Sequence, residues 1–112
     1  MHEMALCERL VAIIEKEAVA GGFHQVHSVS LEVGPLAGVE KDALEFGFQA
    51  VTRGTVADGA VLRILPATAQ AQCPLCGWRQ IVSQPISLCP ACDGPLNVSG
   101  GRELRIKEME VE

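Results

Sequence analysis

Four cysteines in two Cys-Pro-x-Cys pairs carry the strongest chemical signal in this sequence of 112 residues. Cys73 and Cys76 form the first pair, and Cys89 and Cys92 form the second after the spacer 77–88. Each pair presents two thiolates from one tight loop, and two such loops complete the tetrahedral four-sulfur set of structural zinc. We therefore predict a closed Zn(II) site, with iron or an unmetallated cluster as alternatives. A site closed by four sulfurs would be a structural device or a docking surface, not a catalytic centre.

The first residues of the chain hold a second set of potential metal donors. The sequence opens Met1-His2-Glu3, and Met1 is expected to be retained because initiator methionine is usually removed only before a small residue. A free α-amino group, the His2 imidazole and the amides of His2 and Glu3 would then lie together. Such nitrogen donors suit square-planar Ni(II) or Cu(II). Position alone does not separate a metal site from an N-terminus that happens to contain histidine.

Charge and composition exclude several function classes. The formal net charge is −5, and the nine Lys and Arg residues are scattered along the chain. Nucleic-acid binding depends on neutralising phosphates, so we predict no nucleic-acid partner. The sequence has no apolar run near the ~20 residues that span a bilayer, and Glu3 and Glu8 occupy positions that are cationic in signal peptides. We predict a cytoplasmic protein without a membrane partner, in which the cysteines serve metal binding or catalysis instead of forming disulfides.

The pattern of apolar residues predicts an α+β fold of two helices on a three-stranded sheet. Helical spacing covers residues 4–20 and 40–53, while alternation predicts strands at 25–33, at 59–67 and from 102 onward. The cysteine pairs then form a zinc-ribbon-like module that is inserted before the last strand. This divides the chain into an α/β domain, 1–67 plus 101–112, and a zinc-binding domain, 68–100.

Several side chains outside these motifs have competing interpretations. Cys7 lies on the apolar face of the first helix and is predicted to be a small buried residue, not a ligand or nucleophile. His27 shares a strand face with Val29, which predicts a buried, hydrogen-bonded histidine. No Cys-His or Ser-His pair and no phosphate-binding glycine loop with a lysine is evident, so we predict no enzyme activity. The apolar face of the first helix contains Leu6, Cys7, Leu10, Val11, Ile13, Ile14 and Ala18.

Apolar residues also lie between the two cysteine pairs. We predict that they form a small core over the metal, and the alternative is that Trp78 is exposed and contacts a partner. They are Trp78, Ile81, Val82, Ile86 and Leu88.

Taken together, the order of these features resembles the HypA/HybF family of nickel metallochaperones. These proteins help to mature [NiFe]-hydrogenase and, in some organisms, urease. The resemblance covers essentially the whole chain. The N-terminal motif is a weak signal by itself and the paired cysteine motif a strong one, and the two together are specific for the family. It rests on Met1-His2-Glu3, the paired Cys-Pro-x-Cys motifs, the turn Gly34-Pro35-Leu36, the strand entry Asp58-Gly59-Ala60-Val61-Leu62 and the final strand that begins Gly101-Arg102-Glu103-Leu104.

The resemblance implies two metals with different roles. It implies transported Ni(II) at Met1, His2 and Glu3, with Glu40 as an acidic neighbour of that site. It also implies structural Zn(II), held by Cys73, Cys76, Cys89 and Cys92.

The implied partners are the family's nickel-insertion GTPase and the hydrogenase large-subunit precursor. The sequence does not distinguish HypA from its paralogue HybF, nor a monomer from a homo-oligomer. The competing interpretation is a zinc-ribbon interaction module for a nucleic acid or protein.

Overall fold

The computed structural model describes residues 3–112; the predicted nickel ligands Met1 and His2 lie outside the described residues. No helix in this described part is long and apolar enough to cross a membrane. The predicted α+β class is confirmed, and the cysteine module precedes the last strand. The elements are α1 (Glu3–Gly21), β1 (Val26–Val33), α2 (Lys41–Val51), β2 (Val61–Pro66), β3 (Ala69–Gln72), β4 (Arg79–Val82), β5 (Asn97–Gly100) and β6 (Leu104–Val111).

The strands form two three-stranded sheets, where the sequence predicted one. The first sheet has the order β2-β1-β6 and contains the three predicted strands. The second has the order β4-β3-β5, with β3 antiparallel to both neighbours and Ala69 opposite Val82 and Gly100. In β3, Ala69 and Ala71 are buried while Gln70 and Gln72 are exposed. Alanine and glutamine have little β-propensity, so this alternation gave only a weak strand signal.

The chain separates into two compact units. Among the described residues, the helical unit comprises 3–31, Gly38–Ile64 and Ile106–Glu112, and the cysteine unit comprises Glu32–Ala37 and Leu65–Arg105. The predicted assignment of separate nickel-binding and zinc-binding domains stays a prediction.

The core of the helical unit is aliphatic with one large aromatic side chain. Phe48 of α2 is fully buried, and Gly47 allows α1 to approach α2 closely, since a Cβ there would lie 3.1 Å from Cys7 Sγ. Cys7 is fully buried and its thiol donates to the Leu44 carbonyl at 3.4 Å, which confirms its predicted burial. Ile13, predicted on the same face, is half exposed. The buried residues of this unit include Leu6, Leu10, Ile14, Ala18, Val26, Val29, Leu31, Leu44 and Phe48.

The prediction that His27 is buried is wrong. Its side chain is 49% exposed, and Nε2 lies 3.4 Å from a carboxylate oxygen of Glu112. Simple alternation assumes one buried and one solvated face, whereas both faces of β1 are covered from Ser28 to Leu31 and His27 lies just before this stretch. Ser28 and Ser30 on the opposite face are buried as well as Val29, so burial along β1 does not alternate.

Candidate metal centre

Four sulfur atoms converge in the cysteine unit. The Sγ atoms of Cys73, Cys76, Cys89 and Cys92 all lie within 4.8 Å of one another. The Cys73–Cys92 and Cys76–Cys89 sulfur pairs are 3.5 Å and 3.6 Å apart. Zinc–sulfur bonds of about 2.3 Å in a tetrahedron require sulfurs about 3.8 Å apart, so the cluster fits such an ion closely. The structure thus places all four predicted ligands in one four-cysteine metal site.

The two cysteine loops have the same backbone geometry. In each loop, the residue directly after the second cysteine donates its N–H to the carbonyl of the first cysteine. The N–H of the first cysteine donates to the carbonyl of the residue two positions after the second cysteine. The pairs are Gly77 N to Cys73 O (3.1 Å), Asp93 N to Cys89 O (2.8 Å), Cys73 N to Trp78 O (2.7 Å) and Cys89 N to Gly94 O (2.8 Å).

This geometry requires a left-handed backbone after each second cysteine. Gly77 has φ 80° and Asp93 has φ 60°. Glycine adopts this region freely, and aspartate is one of the few other residues that tolerates it. The glycine after Cys76 and the aspartate after Cys92 therefore serve the same backbone role.

The pKa values of the cysteine thiols also favour a bound cation at this site. The backbone N–H of Cys76 lowers the pKa of the Cys73 thiol to about 7. Although the N–H of Gly94 acts in the opposite direction, the sulfurs of Cys73 and Cys76 raise the pKa of Cys92 to about 12. A raised pKa opposes the formation of four adjacent thiolates, which a positive charge among them would stabilise. A coordinated divalent metal deprotonates such thiols and supplies that charge.

The prediction of a small apolar core over the metal is wrong for Ile81 and Leu88. Ile81 is 65% exposed and Leu88 is 57% exposed, while Trp78 is only partly buried. Ile81 lies on β4, an edge strand of a small sheet whose members are four residues long. Such a sheet offers too little covering structure to bury large side chains. A partner contact of Trp78 stays a prediction.

Within the helical unit, the structure brings together the two acidic residues that were predicted to lie near nickel. Glu3 opens α1, and Glu40 is the N-cap of α2 with φ −83° and ψ 117°. The Glu40 backbone N–H donates to Glu3 Oε2 at 3.4 Å, and Glu40 Oε1 accepts from the Asp42 N–H at 3.0 Å. A contact between residues 37 positions apart depends on how α1 packs against α2, so no local sequence signal could reveal it.

The fold and the four-sulfur site define a small metal-binding α+β protein. A family model described as "Hydrogenase/urease nickel incorporation, metallochaperone, hypA" matches residues 1–111. The chain belongs to this HypA family, whose role is nickel incorporation into hydrogenase and urease.

Curated relatives and solved structures agree with this assignment. The chain is 48% identical to hydrogenase maturation factor HypA of Acidithiobacillus ferrooxidans and 51% identical to that of Alkalilimnicola ehrlichii, over 100% of each protein. The solution structure of the Ni metallochaperone HypA from Helicobacter pylori is similar at a TM-score of 0.69 with 21% identity. That alignment covers 99% of this chain and 97% of the other, and it shows that the fold is shared.

Proposed function

We propose that this protein is a nickel metallochaperone that binds Ni(II) at its N-terminus and delivers it during [NiFe]-hydrogenase maturation, with urease as a second target. The ligands are the Met1 amine, the His2 imidazole and the backbone amides of His2 and Glu3, with Glu40 beside them. The cargo site belongs to residues 1–67 plus 101–112, and the protein itself catalyses no reaction.

The four-cysteine site is proposed to hold resident Zn(II). Cys73, Cys76, Cys89 and Cys92 fit this ion by spacing and by donor type, since tetrahedral four-sulfur sites favour zinc or iron–sulfur centres. Zinc there supplies folding energy to residues 68–100, and its closed shell leaves no position for a transported metal.

One contact supports the nickel assignment most directly. The Glu3 carboxylate lies at the Glu40 N–H, so the residue that follows His2 is held beside an acidic position of α2. A cation at the N-terminus would therefore find carboxylates as well as nitrogen donors nearby. Glu3 and Glu40 belong to the unit whose sequence carries the chain's acidic excess, and this negative charge also opposes binding to nucleic acid.

The donor chemistry suits a carrier that must select nickel and then release it. A square-planar nitrogen set favours Ni(II) over Zn(II) by geometry. Binding requires the amine, the imidazole and the amides to lose protons, so nickel affinity falls as pH falls. Protonation or displacement of one donor by a partner's ligand would release the ion.

The N-terminal site is tested by two variants of the untagged protein. We expect His2→Ala, and separately one extra residue before Met1, to abolish nickel binding in calorimetry while zinc stays at one per chain. His24→Ala is the matched control, because His24 is an exposed histidine elsewhere in the same unit. Because His2→Ala places a small residue after Met1 and so favours its removal, mass spectrometry establishes the first residue of each preparation, and only His2→Ala protein that retains Met1 is compared. Unchanged nickel affinity in both test variants would exclude the site.

The proposed partners are the nickel-insertion GTPase of the hydrogenase pathway and the hydrogenase large-subunit precursor, in the cytoplasm. The GTPase supplies or receives nickel, and the precursor is its destination. Delivery is measured as transfer of nickel-63 to either purified partner from this protein and, separately, from the His2→Ala variant, each mixed with the same amount of nickel-63. Equal transfer from both would show that delivery does not use this site.

A further inference from the structure

The first turn of α2 lacks one of the two acceptors that a complete helix cap provides. Glu40 is the N-cap, since its carbonyl accepts the first helical bond from the Leu44 N–H at 2.9 Å. Its own carboxylate serves the Asp42 N–H. In a capping box, a Glu or Gln at the third helical position reaches back to the N-cap N–H. That position holds Ala43, which has no acceptor.

Glu3 supplies the missing acceptor from the other helix. Its Oε2 accepts the N–H of Glu40 at 3.4 Å in a solvent-exposed contact. A carboxylate at this place is favoured twice, by the hydrogen bond and by the positive end of the α2 dipole. The cap of α2 is thus completed by a residue 37 positions away, at the first turn of α1.

We propose that Glu3 is a positioning residue: its carboxylate completes the α2 cap and thereby holds the start of α1 against α2. Glu3 directly follows His2 in the sequence, so this contact fixes the point from which the proposed nickel ligands extend. The nickel part of this proposal rests on the proposed function. Glu3 then contributes its backbone amide to nickel, while its side chain stays committed to α2.

Substitutions distinguish this positioning role from direct coordination of nickel by the Glu3 side chain. Glu3→Gln keeps an oxygen acceptor for the Glu40 N–H, whereas Glu3→Ala removes it. Glu8→Gln is the charge control, because it removes the same charge from an exposed position of α1. We expect Glu3→Gln to bind Ni(II) within about two-fold of Glu8→Gln, and Glu3→Ala to bind about two- to ten-fold more weakly than either, the range of one hydrogen bond.

A second substitution tests whether Glu3 acts by holding the start of α1 against α2 or only by stabilising α2. Ala43 is exposed, so Ala43→Gln can complete the capping box within α2 itself. We expect the Glu3→Ala, Ala43→Gln double variant to regain the urea midpoint lost in Glu3→Ala but not its nickel affinity. Recovery of both would mean that Glu3 acts only through the stability of α2, which would overturn the tether.

The remaining outcomes are equally decisive. Glu3→Gln binding as weakly as Glu3→Ala would make the carboxylate itself a nickel ligand. Glu3→Ala binding as tightly as Glu8→Gln would remove any role for the side chain. If His2→Ala retains nickel, the proposed nickel site fails, and the urea midpoints of the Glu3 and Ala43 variants still test the cap by themselves.

Discussion

The helical unit and the cysteine unit are stabilised by different means. In the helical unit, large side chains such as Ile14, Leu44 and Phe48 are fully buried. In the cysteine unit, the fully buried side chains are small, namely those of Ala69, Ala71, Cys73 and Cys89. Large apolar residues there, including Leu75, Ile81 and Leu88, are exposed. Apolar burial can account for the first unit, but the second needs another source of stability, which its four sulfurs offer.

The largest expected effect comes from removing the metal site. Structural zinc contributes about 10–16 kcal/mol in small zinc-binding peptides, which exceeds what the apolar contacts of the cysteine unit can replace. We expect Cys73→Ser, or a strong chelator, to unfold the cysteine unit while α1 and α2 stay folded. Hydrogen exchange should show lost protection in β3, β4 and β5 and retained protection in α1 and α2.

Cys7→Ala is the matched control, since it removes the cysteine that lies outside the cluster. It should keep zinc at one per chain and weaken only the helical unit. If α1 and α2 lost protection together with β3 in Cys73→Ser, the two units would fold as one cooperative structure. Nickel affinity measured in the same variant reports whether the metal sites are coupled; if zinc only stabilises its own unit, it should be unchanged.

The next effect should appear in the helical unit alone. Phe48→Ala deletes a fully buried ring, and such truncations cost about 3–5 kcal/mol. The free energy of unfolding of α1 and α2 should fall by that amount in urea, while zinc content stays unchanged. Phe46→Ala on the same helix is the control, because Phe46 is 74% exposed and should cost less than about 0.5 kcal/mol. Equal losses at the two positions would contradict the core described for α2.

The same contrast explains how much of the fold the sequence could reveal. α1, α2 and the sheet β2-β1-β6 were predictable because aliphatic residues repeat with the period of each element. The four sulfurs were predictable because Cys-x-x-Cys spacing itself closes the loop that presents them. β3 and β5 were not, since Ala-Gln-Ala-Gln and Asn-Val-Ser-Gly are short and carry little apolar signal.

Contacts between residues distant in the sequence could not be predicted, for a different reason. The exposure of His27 depends on which parts of β1 are covered, and the cap that Glu3 gives to α2 depends on helix packing. Neither follows from local spacing. The acidic residue Glu40 could be placed near Glu3 only through the family resemblance.

The smallest expected effect separates the backbone of the cysteine unit from its metal. Gly77 and Asp93 hold equivalent left-handed positions with φ 80° and 60°. A side chain without a local hydrogen bond costs about 1–2 kcal/mol in this region, so Gly77→Ala should weaken zinc binding by about five- to thirty-fold in competition with a chelator. Asp93→Gly should change it less than about two-fold, because the relief of left-handed strain is offset by the greater freedom of glycine in the unfolded chain. A loss in Asp93→Gly as large as in Gly77→Ala would show that the Asp93 side chain, not its backbone, supports the second loop. In either case, the effect stays far below that of losing one sulfur, because the loop backbone only orients the ligands that the metal joins.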